Sequence, residues 1–138
     1  MYENIMLASD GSADSNKAAE QAFQLADLTD AKVEIVYVVD GETSKHDVLR
    51  NVDSLGMDEE RRDKLRAAEE KAVEANVTYD VTILRGNPAS KIVEYAEEKK
   101  TDLIVMGTRG LNVLQEMVVG SVSHQVIQKS NSPVLIVK

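Results

Sequence analysis

The feature that most constrains the fold is a regular alternation of short apolar runs with segments of helical periodicity. The apolar run at residues 33–39 is rich in β-branched residues, as strands are. One helical segment places apolar residues three and four positions apart on one face, at Ala18, Ala22, Leu25 and Ala26. Strands that alternate with helices build a parallel sheet covered by helices on both faces. The pattern therefore predicts an α/β fold, a three-layer α/β/α sandwich around a five-stranded parallel sheet.

The predicted elements follow one another without an internal repeat, a linker or a low-complexity segment. We therefore expect a single domain over residues 1–138, an ordinary size for one domain. Residues 40–56 are polar with a glycine near each end, which indicates a loop. The predicted strands cover residues 5–8, 33–39, 77–84, 103–106 and 134–137. The predicted helices cover residues 12–28 and 58–75, a segment beginning at Asn87-Pro88, and residues 120–130.

Composition and charge narrow the possible partners. The chain has no cysteine, which removes disulfides, thiolate metal sites and cysteine nucleophiles. Its net charge of −8 disfavours nucleic acid and anionic membranes, because both reward clustered lysine and arginine. The N-terminus lacks the features of a signal peptide, and no apolar run approaches the ~20 residues that span a bilayer. We expect a cytoplasmic protein with neither a nucleic-acid partner nor a membrane partner.

A glycine-punctuated stretch, MGTRGLNVLQEMVVGSVSHQV at residues 106–126, indicates where a ligand binds. Gly107 follows the fourth predicted strand, and Gly120 with Ser121 opens the last predicted helix. The start of a helix offers unpaired N–H groups and the positive end of its dipole to an anion. Glycine lets an oxygen approach the backbone without meeting a Cβ, and Ser121 and Ser123 add hydroxyl donors. Together with Gly110, these residues predict a phosphate-binding loop.

The spacing of these glycines differs from the common phosphate-binding motifs. The chain has no P-loop, and no Gly-x-Gly-x-x-Gly follows its first strand. It also has no Gly-x-Ser-x-Gly elbow, so no hydrolase triad is indicated. The segment is nevertheless suited to an anion, since residues 107–138 contain Arg109, Lys129 and Lys138 against Glu116 alone.

The actual spacing, Gly107, Gly110 and Gly120-Ser121, resembles the ATP-binding motif of the universal stress protein family. The likeness covers nearly the whole chain, in the segments ASDGS at residues 8–12, IVYVVD at 35–40, LIVMGTRG at 103–110, GSVSHQVI at 120–127 and SPVLIVK at 132–138. The resemblance implies an adenine-nucleotide α-hydrolase-like fold with strand order 3-2-1-4-5. In that order Asp10 and Gly107 face each other across one crevice.

The resemblance also implies the contacts of the nucleoside. The backbone around Val38 would meet the adenine, and Ala8 and Ser9 would line its pocket. Asp10 would bind the ribose hydroxyls, with Met106 and Gly107 beside it.

The phosphates would be held by the second half of the motif, at Gly110, Gly120, Ser121, Val122 and Ser123. The implied ligand is ATP, or ADP or AMP, with Mg²⁺ or Mn²⁺. We expect no metal ligand from the protein side chains, because no carboxylate is placed to hold the ion, which would rest on the phosphates. Arg109 is either a further phosphate contact or an ordinary exposed arginine. Some family members have threonine at the position of Ser123, which keeps the hydroxyl.

Other interpretations of the same residues stay open. Asp10-Gly11-Ser12 also suits a turn and a helix cap, and a cap at Ser121 is compatible with phosphate binding. His124 falls in the first turn of the last helix, as a surface or capping residue or as a catalytic one. Pairs such as Glu59-Glu60 are neighbours along a helix and do not face each other, which favours a solvated face over acid–base chemistry.

These expectations describe a nucleotide-dependent sensor or adaptor in a stress response. Hydrolysis of ATP is expected to be slow or absent, because the sequence shows no base for an attacking water and no P-loop lysine. The alternatives are an ATP-using enzyme of the adenine-nucleotide α-hydrolase-like group and a dimeric interaction module that binds no nucleotide. In the implied order the apolar strand Val134–Val137 lies at a sheet edge, so we expect a homodimer through this strand.

Overall fold

The computed structural model describes residues 2–9, 13–39, 59–107 and 121–138. Its strands are β1 (Asn4–Ser9), β2 (Lys32–Val39), β3 (Tyr79–Arg85), β4 (Leu103–Gly107) and β5 (Val134–Val137). Its helices are α1 (Ala13–Thr29), α2 (Glu59–Glu74), α3 (Pro88–Glu98) and α4 (Ser121–Lys129). Among these helices, none combines the length and the apolar character that a membrane crossing requires.

All the strand pairs are parallel, and the sheet has the order β3-β2-β1-β4-β5. The predicted fold class and strand order are confirmed. The central strand β1 pairs with β2 on one side, where Leu7 lies opposite Ile35, and with β4 on the other, where Leu7 lies opposite Val105. The strand order reverses between β1 and β4, and in such sheets the reversal opens a crevice at the carboxyl ends of the two strands.

Each strand contributes to two apolar clusters, because successive side chains point to opposite faces of a sheet. In β1, Ile5 and Leu7 belong to the cluster that α1 and α2 cover. Met6 and Ala8 belong to the second cluster, which α3 and α4 cover. All four side chains are buried. Burial on both faces explains why this strand is a continuous apolar run in the sequence.

Three of the helices end in the same way at the amino-terminal edge of the sheet. Asp30, Asn76 and Lys100 follow α1, α2 and α3 with positive φ values of 60°, 61° and 54°. After each of them, one N–H reaches back five residues to a helix carbonyl, from Ala31 to Ala26 (3.0 Å), from Val77 to Ala72 (3.0 Å) and from Thr101 to Ala96 (2.9 Å). These are Schellman caps, which satisfy carbonyls that a helix end leaves unpaired. The cap at Val77 also explains why β3 begins at Tyr79 rather than at residue 77 as predicted.

Asp102 fastens β4 to β1 at the same edge. Its Oδ2 accepts hydrogen bonds from the backbone N–H groups of Asn4 and Glu3, each at 2.9 Å, and its own N–H donates to the Asn4 carbonyl at 2.8 Å. The bonds from Asn4 and Glu3 stabilise the carboxylate and hold the pKa of Asp102 below its ordinary value. The two strands that flank the crevice, β1 and β4, are therefore bonded together at their amino-terminal ends, away from the crevice.

The caps generate a stability prediction. Replacing Lys100 by glycine should stabilise the protein by about 0.5–1 kcal/mol, because glycine adopts positive φ without a steric penalty at Cβ. Urea unfolding measures the gain as a higher midpoint at an unchanged slope. The matched control is Glu98→Gly, inside the last turn of α3, where glycine should cost up to about 1 kcal/mol. A loss of stability in both variants would show that the backbone at Lys100 carries no strain.

Candidate functional site

Four of the predicted site residues meet in one place. Ala8 near the end of β1, Val38 in β2 and Met106 in β4 belong to a single apolar cluster, and Val122 in the first turn of α4 completes it. Ala8 and Met106 are register partners in adjacent strands. The four side chains are 2–7% exposed. Residues distant in the sequence thus form a continuous apolar floor beside the reversal of strand order.

Three further predicted positions border this floor. Gly107 is the last residue of β4, directly after Met106, and is partly exposed. Ser9 ends β1, and Ser121 is the first residue of α4. The positive end of the α4 dipole therefore lies at the residue before Val122 of the floor, where it favours a negatively charged group. The arrangement combines an apolar surface with a helix N-terminus, as a ligand with an aromatic part and an anionic part requires.

Ser123 has less freedom than the sequence suggests. Its side chain is 2% exposed, and the residue already interacts with another group of the protein. With so little of its side chain exposed, Ser123 offers a ligand hardly any surface in this arrangement.

The remaining predicted site residues are Asp10, Arg109, Gly110 and Gly120, which lie outside the described part of the chain. Their roles stay predictions. His124 lies in the first turn of α4 and is exposed, which fits a surface residue. Within residues 2–9, 13–39, 59–107 and 121–138, no three His, Cys, Asp or Glu side chains approach closely enough to hold a metal ion.

A polar cluster that the sequence did not reveal lies further along the same face of the sheet. The Oε1 atom of Glu34 in β2 accepts a hydrogen bond from the Tyr95 hydroxyl of α3 at 2.7 Å. It also accepts one from the Thr82 hydroxyl of β3 at 2.8 Å, and the two hydroxyls are 3.2 Å apart. Burial, more than any other influence, raises the pKa of Tyr95. Because Tyr95 keeps its proton and donates it to Glu34, α3 is bonded directly to β2, and it is linked to β3 through the same carboxylate oxygen, to which Thr82 donates.

This polar cluster matters for the site because α3 also carries residues of the apolar cluster to which the floor belongs. Ala89 and Ile92, about two turns and one turn before Tyr95, belong to the same cluster as Val38 and Met106. The N-terminus of α3 is fixed as well, since the Asn87 side chain accepts from the Ser90 N–H at 3.1 Å. A possible signal was present in the sequence: Glu34 interrupts a β-branched run in a strand that is buried on both faces.

Comparison with known proteins gives consistent results. The family model described as universal stress protein family matches residues 1–138. Universal stress protein YxiE of Bacillus subtilis is 38% identical over 148 residues, covering 100% of both chains. A solved universal stress protein in complex with cAMP is 31% identical, with a TM-score of 0.77 over 99% of this chain and 97% of that one. The structure of the universal stress protein from Archaeoglobus fulgidus in complex with dAMP is 25% identical, with a TM-score of 0.74 over 99% and 98%.

Proposed function

The chain belongs to the universal stress protein family, and from this we propose that it is a nucleotide-dependent sensor or adaptor that binds ATP. The observation that carries the proposal is the apolar floor of Ala8, Val38, Met106 and Val122 beside the N-terminus of α4. An adenine ring needs an apolar pocket with few polar contacts. Phosphates need N–H donors and a positive dipole. The floor and the helix start supply both at one end of the sheet.

Related structures support an adenine nucleotide as the ligand class. One was solved in complex with cAMP and another in complex with dAMP. Both ligands contain adenine and a single phosphate, which the floor and the α4 N-terminus suit. We propose that ATP extends this arrangement, with Gly110, Gly120 and Ser121 around its additional phosphates and Mg²⁺ or Mn²⁺ carried between phosphate oxygens. Asp10 would bind the ribose, and Arg109 would contact a phosphate.

The wider proposal concerns the organisation of the protein. Residues 1–138 would act as one nucleotide-binding domain in the cytoplasm. ADP or AMP would bind in the same place, and the signal would depend on which nucleotide occupies it. An adaptor of this kind passes on its state through surface contacts with another protein rather than through a released product.

The first test concerns the nucleotide. Replacing Gly120 by valine should abolish ATP binding while the fold survives, because the valine side chain would occupy the space that the phosphates need. Calorimetry with Mg-ATP measures the affinity. The control is Thr78→Val, which also introduces a valine but lies directly before β3, at the edge of the sheet opposite to the proposed site, and should bind like the unaltered protein. Unchanged affinity in the Gly120 variant would remove the assignment of the phosphate-binding loop. Mass spectrometry of freshly purified, denatured protein would show whether a nucleotide accompanies it.

The second test separates a sensor from an enzyme. We expect hydrolysis well below the ~1–100 s⁻¹ of kinases, because the sequence shows no evident base for an attacking water and no P-loop lysine. A phosphate-release assay under saturating Mg-ATP measures the rate. Turnover within that range that is lost in His124→Ala would favour the enzyme of the adenine-nucleotide α-hydrolase-like group and give His124 a catalytic role.

The third test concerns the homodimer through Val134–Val137. β5 is the last strand of the sheet order, and all four of its residues are half-buried. Since the Pro133 carbonyl accepts from Ile104 at 2.9 Å, the backbone groups of Val134 and Ile136 point away from β4. Two such edges can pair about a two-fold axis. Sedimentation equilibrium at about micromolar protein should give a dimer.

The dimer test has a variant and a clear contrary outcome. Ile136→Pro removes an outward N–H and leaves the bonds to β4, so it should give a monomer with the same far-UV spectrum. A single species at the monomer mass for the unaltered protein, with and without ATP, would exclude the interface.

A further inference from the structure

We propose that the outer edge of β3, with the flank of α2 beside it, is a docking surface for an extended basic segment of a partner protein. This surface is distinct from the nucleotide site and from the β5 edge. It consists of the strand Tyr79–Arg85 and a groove lined by Arg66, Glu69, Glu70, Val73, Glu74 and Tyr79. The proposal goes beyond the proposed function, because it names a surface and a class of protein partner.

The first observation is the unpaired edge of β3. Among the described residues this strand is the outermost in the order opposite to β5. The Thr78 carbonyl accepts from the Val33 N–H at 2.9 Å, so Thr78 is directed toward β2. Backbone groups alternate sides along a strand, and therefore those of Tyr79, Val81 and Ile83 point outward. These N–H and C=O groups form a row that an added strand can pair with.

The second observation is a groove at the start of this strand. It has a volume of about 480 Å³ and lies between α2 and the start of β3. The other flank of α2 faces α1, where Lys71 pairs with Glu20 at 2.7 Å. Val73 lines the groove and is 67% exposed, which is unusual for a valine in a covered helix. An extended segment paired with β3 would direct every second side chain toward the face of the sheet that α2 covers, where one of them could contact this valine.

The third observation is the charge of the groove, which decides the chemistry of the partner. Glu70 and Glu74 are four residues apart on one helix face, a like-charge pair that costs α2 a few tenths of a kcal/mol. Neither has an ion-pair partner among the described residues. Arg66 is paired with Asp63 at 3.1 Å, and burial raises the pKa of Glu69. The lining therefore contains three glutamates against one arginine, and a partner with lysine or arginine at alternate positions would balance this excess of negative charge.

The experiment uses the whole protein and a fluorescent peptide that alternates lysine and valine over about seven residues, a common strand length. Fluorescence anisotropy measures binding. The salt concentration is about 0.15 M, because long-range attraction between charges is then screened and only ion pairs at close range contribute. Amide hydrogen exchange measures the edge itself. Addition of the peptide should slow exchange at Val81 and Ile83, whose N–H groups point outward, and should leave Val134 and Ile136 unchanged.

Two variants test the groove. Glu70→Lys with Glu74→Lys reverses its charge and should weaken peptide binding by at least about tenfold. The matched control is Glu94→Lys with Glu98→Lys, the same change at the same spacing on α3, which should change binding by less than about twofold. Far-UV circular dichroism checks that both proteins fold, as expected for exposed helix positions.

Two altered peptides test the remaining claims. A peptide methylated on alternate backbone nitrogens keeps its charge but loses the donors for β3, and should not bind. A peptide with glutamate in place of lysine should not bind either. The proposal is overturned if the lysine peptide does not bind, if both charge variants weaken it equally, or if the methylated peptide binds as tightly. An acidic peptide that binds the edge would overturn the choice of a basic partner.

Discussion

The structure depends on one constraint, which is that a parallel sheet must be covered on both faces. Apolar side chains therefore occupy both faces of β1, as Leu7 and Met6 show with their complete burial. Few polar side chains fit between the layers, and most of them lie at the ends and edges of the sheet. The Glu34 cluster is an exception within the layers, and its hydroxyl partners from β3 and α3 satisfy the carboxylate oxygen that they bond.

The fold was predictable because its signals are local. The β-branched run of β2 and the Asn87-Pro88 start of α3 identify their elements without tertiary information, and the structure has both. The strand order came from the resemblance, because pairing between distant strands leaves no mark within one strand. The exact ends of the elements were harder to predict from the sequence. At β3, for example, a backbone hydrogen bond of Val77 determines where the strand begins.

The candidate site was predictable only in part. The resemblance selected Ala8, Val38, Met106 and Val122 from four separate elements, and they do share one cluster. The bonds of Tyr95 to Glu34 could not be foreseen, because their partners are 61 positions apart and no periodicity connects them. The groove beside β3 was equally hidden, since Glu70 and Glu74 have the spacing of any solvated helix face. Features that arise from contacts between distant residues become visible only in the three-dimensional structure.

The Schellman caps bear on how such a chain can evolve. They close short connections at one edge of the sheet, where α1 and β2 are separated only by Asp30 and Ala31. The long connections, residues 40–58 and 108–120, all follow the carboxyl ends of strands. Insertions and deletions can therefore accumulate at the carboxyl ends of the strands without disturbing the register of the sheet. The connections at the carboxyl ends of the strands can therefore diverge between related proteins. The amino-terminal edge preserves the fold, because its Schellman caps are backbone hydrogen bonds that many sequences can form.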